Sequence, residues 1–190
     1  MGRYIEAIEA CNKSIEINPP GAKAWFTKGV ALRKLERYSE AIEAMNNIIE
    51  INPQDTEAWN YKGTILDDQR KWKEAIAAYE KAIEINEQNA EAWYNKGIAH
   101  YELDQYEEAL AAFDKSVMIN PQNAEAWNNK GYILYLLERY IEAIAAYEKA
   151  IEIDPLNAKL WNNKGDALGK LDRHDEARTA YDKAVEIKSQ

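Results

Sequence analysis

Few residues in this 190-residue chain have the type and spacing that catalysis or metal binding requires. Neither a serine nor Cys11 is placed with a histidine and an orienting acid, as nucleophilic catalysis would need. His100 falls in a column of core residues, where we expect it to be packed and hydrogen-bonded, and we expect His174 to be exposed. Asp67 and Asp68 suggest paired carboxylates, but they close a predicted helix near a turn, so we expect them to be solvated. The sequence therefore predicts no enzyme, no metal site and no cofactor.

Charge and composition narrow the classes of partner. The chain has 24 Lys and Arg against 33 Asp and Glu, a formal net charge of −9. Because nucleic-acid affinity comes largely from clustered Lys and Arg, we expect no nucleic-acid partner, and this charge also disfavours an anionic membrane surface. No apolar run approaches the roughly 20 residues that span a bilayer. The single cysteine excludes an intramolecular disulfide, which favours a reducing, cytoplasmic location.

Three residue types recur with a period of 34 residues, and this period organises the chain. A glycine follows each tryptophan of the repeat by four residues, and an alanine follows it by sixteen, as Gly29 and Ala41 do in the first repeat. Residues three or four apart share one face of a helix, so each repeat predicts two helices that approach closely at glycine and alanine. The tryptophans are Trp25, Trp59, Trp93, Trp127 and Trp161.

Proline and short polar residues predict where these helices end and begin. The pairs Asn52-Pro53, Asn120-Pro121 and Asp154-Pro155 should end the second helix of a repeat, because proline cannot continue it. Glu87 replaces proline in that column, so its turn lacks the stiffness of the ring. The predicted N-caps of the following helices are Asp55, Asn89, Asn123 and Asn157.

The pattern W-x2-K-G-x2-L, followed by alanine, an aromatic residue four positions later and then proline, resembles the tetratricopeptide repeat (TPR). This resemblance implies an all-α chain, a right-handed α-solenoid of stacked antiparallel helix pairs with about 11 helices. We expect a single array over 1–190 with a half repeat, second helix only, at 1–21. The full repeats are 22–55, 56–89, 90–123, 124–157 and 158–190.

The two ends of the predicted array differ. The half repeat at 1–21 has two interpretations that stay open, a piece of a longer array or a natural capping helix. In the last repeat, the columns that would face a following repeat hold His174, Arg178 and Val185. A polar face of this kind is expected at the end of an array, where solubility requires it.

A lysine stands one residue before each repeated glycine, where the family usually has leucine. We expect the methylene stems of these lysines to pack and the ammonium groups to reach nearby carboxylates. A ladder of lysines that binds an anion is the alternative. The column comprises Lys28, Lys62, Lys96, Lys130 and Lys164.

The face of each first helix opposite the tryptophan is the predicted binding surface, because in this family it lines the concave groove. We call the residues at Trp−2, +1, +2, +5, +8 and +9 the recognition face. Its formal charges in the five full repeats are +3, −3, −2, −1 and +1. The candidate peptide-binding residues are Asn60, Tyr61, Tyr94, Asn95, Tyr101, Asn128, Asn129, Tyr132, Tyr135, Asn162 and Asn163.

Members of this family bind ligands on this face in at least two ways. Some members clamp a C-terminal carboxylate with Lys and Asn at Trp+1 and Trp+5, and those pairs are absent here. Other members hold an extended peptide backbone with asparagines, and Asn95, Asn129 and Asn163 occupy the matching column. The alternative is that these asparagines are solvated and bind no ligand. The neighbouring tyrosines favour recognition over this alternative.

The sequence thus predicts a protein–protein interaction scaffold that binds an extended peptide or a partner helix in the groove. The ligand should be neutral to basic at its centre, because the middle three recognition faces sum to −6. The alternative is a structural self-assembly module that associates through its terminal helices. A weak homo-oligomer would then form through the stripe Ala7, Cys11 and Ser14 of the half repeat.

Overall fold

The structure, a computed structural model, describes residues 2–189, and every regular element in that range is an α-helix. There are 11 helices between residues 2 and 189, so the predicted all-α class is confirmed. The described residues divide into two compact bodies, an N-terminal body of residues 2–99 and a C-terminal body of residues 100–189.

Consecutive helices pack against each other in the N-terminal body, from α1 on α2 to α4 on α5. The largest fully buried side chains of this body are Leu32, Met45, Ile48, Ile65 and Tyr79. The helices are α1 (Gly2–Ile17), α2 (Ala22–Lys34), α3 (Tyr38–Ile51), α4 (Thr56–Asp68), α5 (Trp72–Ile85) and α6 (Ala90–Tyr101), the last of which ends at the start of the C-terminal body.

The C-terminal body repeats this arrangement, with each of its remaining helices packed against the next. Its fully buried side chains include Phe113, Ile133, Leu134, Tyr147 and Leu168. The helices are α7 (Tyr106–Ile119), α8 (Ala124–Leu136), α9 (Tyr140–Ile153), α10 (Ala158–Gly169) and α11 (His174–Lys188).

The predicted helix boundaries are confirmed by their hydrogen bonds. Asp55 and Asn123 accept from backbone N–H groups three residues on, at 2.9 and 3.0 Å, as N-caps do. Helix α5 ends at the same place as its counterparts although Glu87 replaces proline. The reason is that the Asn86 side chain accepts from the N–H of Gln88 at 3.0 Å, a local turn that needs no proline ring.

The repeated tryptophans pack and also form hydrogen bonds to the backbone. Each indole Nε1–H donates to the backbone carbonyl six residues earlier, at N···O distances of 2.9–3.1 Å. Each ring therefore ties its own helix to the turn that precedes it, including the turn with Glu87. The acceptors are the carbonyl groups of Pro19, Pro53, Glu87, Pro121 and Pro155.

Close approach explains the repeated glycines. A Cβ atom added at Gly63 would lie 2.3 Å from Tyr79 Cε1, and one at Gly131 would lie 2.6 Å from Tyr147 Cε1. Both distances are far below contact, so a glycine is needed wherever a buried tyrosine ring lies against the facing helix.

Candidate peptide-recognition faces

In the N-terminal body, the recognition faces of α2 and α4 are joined by ring and charge contacts. The Phe26 and Tyr61 rings lie 5.0 Å apart at a tilt of 52°. The Arg33 guanidinium lies 5.4 Å from the Tyr61 ring centre and donates to both oxygens of Asp68, at 2.6 and 3.1 Å. The bond to Asp68 raises the pKa of Arg33 above its ordinary value. A bidentate pair of this kind fixes one face against the other.

Asp67 is not solvated, and the prediction that it would be is wrong. Its carboxylate is half-buried and accepts a hydrogen bond from the Tyr79 hydroxyl. Burial, with the charge of Asp67 beside it, raises the pKa of Tyr79 well above its ordinary value. Because Gly63 lies one turn before Asp67, the ring that needs the glycine also brings its hydroxyl to the carboxylate. Asp68 is exposed but ion-paired with Arg33.

Two of the predicted groove asparagines lie beneath the surface. Asn60 and Asn128 are each only 6% exposed. Asn95 Nδ2 donates to Asn60 Oδ1 at 3.3 Å, and Asn163 Nδ2 donates to Asn128 Oδ1 at 2.8 Å. In both bodies a buried amide therefore orients a half-buried amide 35 residues later. In the sequence, the recurrence of asparagine at Trp+1 and Trp+2 was the signal that could have indicated these pairs.

The amide contacts of the C-terminal body form a chain. Asn128 Nδ2 donates to Asn129 Oδ1 at 3.3 Å while its own Oδ1 accepts from Asn163. Asn128 thus links the side-chain amides of Asn163 and Asn129. A linked series of this kind polarises its members and fixes their orientation.

Tyrosines line the recognition face of the C-terminal body. Tyr101 and Tyr132 meet edge to face, with ring centres 5.8 Å apart, and Tyr135 meets Tyr140 at 5.5 Å. The hydrogen bond with Tyr132, assisted by partial burial, raises the pKa of Tyr101 to about 12. These tyrosines present ring surface beside hydroxyl groups.

A notch of about 40 Å³ opens between these side chains in the C-terminal body. It is large enough for a water molecule or one small group of a ligand. Its acidic wall is Asp166, which accepts from the Tyr181 hydroxyl at 2.8 Å. The lining residues are Tyr132, Tyr135, Tyr147, Asn163 and Asp166.

The remaining predicted residues are half-buried and reach solvent in part. They are Tyr61, Tyr94 and Asn162. In the N-terminal body a larger cavity of about 400 Å³ lies at the start of α2. Phe26 and Ile48 form the apolar part of this cavity. Lys23 and Glu57 place a positive and a negative charge at its rim.

The lysine column reaches carboxylates at three of its five positions, which confirms the expectation there, whereas among residues 2–189 Lys28 and Lys62 have no such pair. Lys96 pairs with Glu80 at 2.7 Å and Lys164 with Glu148 at 2.7 Å, and Lys130 pairs with Asp114 at 2.8 Å. Every lysine of the column also places Nζ 5.1–5.9 Å from the ring centre of the tryptophan three residues earlier. This cation–π contact was missed, although the spacing of three residues on a helix predicts it.

The histidine predicted in a core column has a structural role. His100 is half-buried, with Nδ1 2.8 Å from Gln105 Oε1, which confirms the predicted hydrogen-bonded histidine. Within residues 2–189 no three His, Cys, Asp or Glu side chains are grouped so that they could hold a metal ion. None of the helices described between those residues is both long and apolar enough to cross a membrane.

Sequence comparison decides the family. Models described as tetratricopeptide repeat match residues 1–56, 26–90 and 60–122, and further models with the same description match 124–157 and 146–179. The chain belongs to the tetratricopeptide repeat family. No curated protein matches this TPR chain significantly in sequence.

Solved TPR structures share the fold. Two crystal structures of MamA are 25% and 26% identical to this chain, with TM-scores of 0.81 and 0.80. The match with the first covers 88% of this chain and 92% of the MamA chain, and the match with the second covers 85% of this chain and 94% of the MamA chain. YrrB, described as a TPR protein with an unusual peptide-binding site, is 24% identical with a TM-score of 0.79, covering 96% and 94%. The family supports a protein-interaction scaffold, and the solved structures support its fold.

Proposed function

We propose that this TPR chain binds an extended segment of a partner protein along its recognition faces and holds that segment by its peptide backbone. The observation that carries this proposal is the amide chain of the C-terminal body, in which buried Asn128 links Asn163 to Asn129. An amide group both donates and accepts, so it can pair with a peptide group without reading its side chain. Because these amides are already oriented, less conformational freedom is lost on binding.

Specificity would come from the ring surfaces beside the amides. Tyr132 is 39% exposed, and Tyr101 and Tyr135 are half-buried next to it. Tyrosine provides a large contact area at a small cost in conformational entropy, and it is enriched at binding hot spots. A partner helix would use the same rings through its apolar side, but it would leave the amides without backbone groups to pair with. The amide chain therefore favours the extended segment.

The ligand should be neutral to basic where it meets the acidic faces. Glu57, Glu91 and Glu102 are exposed on recognition faces. Arg33 and Asp68 neutralise each other, so the contrast between the first two faces is smaller than their formal charges of +3 and −3 suggest. Exposed charges are screened over about 10 Å at 0.1 M salt, so this preference should weaken as salt is added.

The test uses peptides selected on the parent protein from a random phage-displayed library. In the variant with Asn95, Asn129 and Asn163 replaced by alanine, each lost amide should weaken binding by about 0.5–1.5 kcal/mol. The matched control replaces Asn12 and Asn47, which lie on second helices, and should bind as the parent does. Circular dichroism checks that both variants are folded. If the triple variant binds the selected peptides as tightly as the parent, the proposal is wrong.

The second candidate function is self-association through α1, and one observation favours it. A cavity of about 670 Å³ lies between the start of α1 and α2, with Tyr4, Ala7 and Val30 in its wall. Cys11 of the predicted stripe is only 8% exposed, so the contact would involve Ala7 and the exposed Tyr4 and not the whole stripe. A strictly monomeric sedimentation profile across a concentration series would remove this candidate.

A further inference from the structure

Two lysines of the column, Lys28 and Lys62, lack the carboxylate that the other three have. The acids that pair with Lys96, Lys130 and Lys164 stand sixteen residues before each lysine. Before Lys62 that position holds the neutral Asn46. Among residues 2–189 no carboxylate lies within 4.0 Å of Lys62 Nζ, which rests 5.1 Å from the Trp59 ring centre. Asn12 holds the same position before Lys28.

Because Lys62 is partly buried, the lack of a carboxylate partner affects its pKa. Burial lowers the pKa of Lys62 below its ordinary value, because water is removed from the ammonium group and no opposite charge replaces it. An anion brought to this ammonium group would restore the arrangement that Asp114 gives to Lys130. A carboxylate donated by a ligand is therefore electrostatically favoured at this position.

A cavity is present where such a ligand would bind. It has a volume of about 550 Å³ and lies within the N-terminal body, between α3, α4 and α5. This is within the range of roughly 300–1,000 Å³ that small-ligand sites have. The apolar side chains Ile42, Trp59, Leu66, Ala77 and Ala78 line it together with the charged Lys62, Lys71, Glu74 and Lys81. Basic groups thus outnumber acidic ones around an apolar floor.

We propose that this cavity is a second protein-binding site, which takes a partner segment that carries an acidic side chain beside an aliphatic one. The carboxylate pairs with Lys62, and the aliphatic side chain packs against Trp59 and Ile42. The lysine is at Trp+3, outside the recognition face, so one chain can hold two segments of opposite charge preference. The carboxylate that three repeats supply internally is supplied here by the partner.

The C-terminal body contains a matched site in which the acid is present. Lys130, Trp127 and Leu134 correspond to Lys62, Trp59 and Leu66. The surrounding positions hold Leu110, Arg139, Glu142, Ala145, Ala146 and Lys149, of the same chemical types as their counterparts. The principal difference in charge is Asp114 in place of Asn46, and it is ion-paired with Lys130 at 2.8 Å. The substitution Asp114→Asn therefore converts this site to the composition of the Lys62 site.

The test is a titration of the whole chain, labelled with nitrogen-15, with two acetylated and amidated tripeptides, Leu-Glu-Leu and Leu-Gln-Leu. The readout is the chemical shift of the tryptophan indole N–H groups. The Glu peptide should shift the Trp59 signal, with binding at least tenfold tighter than the Gln peptide. Asn46→Asp should weaken the Glu peptide about tenfold by supplying an internal acid, and Lys62→Met should do the same. Asp114→Asn should add a response at Trp127.

Three results would overturn the proposal. One is equal binding of the Glu and Gln peptides. Another is unchanged affinity in Asn46→Asp, a substitution that the chain already carries in equivalent form at Asp114 and that should therefore fold. The third is a shift of equal size at all five repeat tryptophans of the parent. Thermal unfolding of each variant distinguishes lost binding from lost folding.

Discussion

The two bodies have equivalent packing and different recognition faces. In the N-terminal body Trp59 and Trp93 pack against Ala82, Ile83 and Ala92, and in the C-terminal body Trp127 and Trp161 pack against the corresponding Ala150, Ile151 and Leu160. Their recognition faces are held together differently. An arginine–aspartate pair and a Phe–Tyr contact join α2 to α4, whereas tyrosine pairs and an amide chain occupy the C-terminal body.

This difference separates stability from recognition. The tryptophan, glycine and alanine columns repeat because each body must bury the same ring against the same close helix contact. The recognition-face positions lie outside these columns and can therefore differ between the bodies. Equivalent substitutions in the two bodies should therefore have equal effects in the columns and unequal effects on the faces.

The largest expected effect is loss of a tryptophan. Trp59→Ala and Trp127→Ala should each reduce the free energy of unfolding by about 3–5 kcal/mol, because each ring loses its packing and its bond to the turn. Trp25→Ala, nearer the end of the helices described here, should reduce it less. Urea unfolding followed by circular dichroism measures all three. Equal losses at the three positions would contradict the nearest-neighbour account.

Glycine substitutions test the close helix contact. Gly63→Ala and Gly131→Ala should each cost about 1–3 kcal/mol, because the added methyl group meets a buried tyrosine ring. Gly169→Ala is the control, since a Cβ atom there meets nothing within 4 Å, and it should be neutral or slightly stabilising. Thermal unfolding distinguishes these cases. A loss at Gly169 as large as at Gly131 would show that the contact with the tyrosine ring does not decide the effect.

Loss of a buried amide should destabilise the two bodies to different extents. Asn60→Ala and Asn128→Ala each remove a hydrogen bond, which should cost about 0.5–1.5 kcal/mol. Asn128 should cost more, because its bond to Asn163 is shorter and because it also donates to Asn129. Chemical unfolding gives the stability difference. A greater loss at Asn60 would mean that the amide chain of the C-terminal body adds nothing.

The smallest effect concerns the ion pair that joins the recognition faces of α2 and α4. Arg33→Ala should cost about 0–1 kcal/mol, because both partners are partly exposed, and the loss should shrink in high salt. Tyr132→Phe, on the recognition face of the C-terminal body, should show no salt dependence of its effect. Unfolding in 0.05 M and 1 M salt compares them. Salt-independent loss at Arg33 would indicate that its contact with the Tyr61 ring matters more than its ion pair with Asp68.

Much of the fold could be predicted because its determinants are local. The N-cap bonds of Asp55 and Asn123 link residues three apart, and the 34-residue period fixes which columns face inward. Local bonding also explains why α5 ends at the same place as its counterparts although Glu87 stands where they have proline. The binding role of the asparagines and the repeat boundaries stay predictions, since the side-chain contacts found here bear on neither directly.

Burial on the recognition faces was decided only by tertiary structure. Asn60 and Asn128 were predicted as groove residues from their helical angle and the family resemblance, yet each is covered and paired with an asparagine 35 residues later. Asp67 was expected to be solvated, yet a tyrosine from the next helix binds it. A helical period assigns a residue to a face of its own helix. Whether that face meets water depends on the side chains that neighbouring helices place over it, and only the folded chain brings those together.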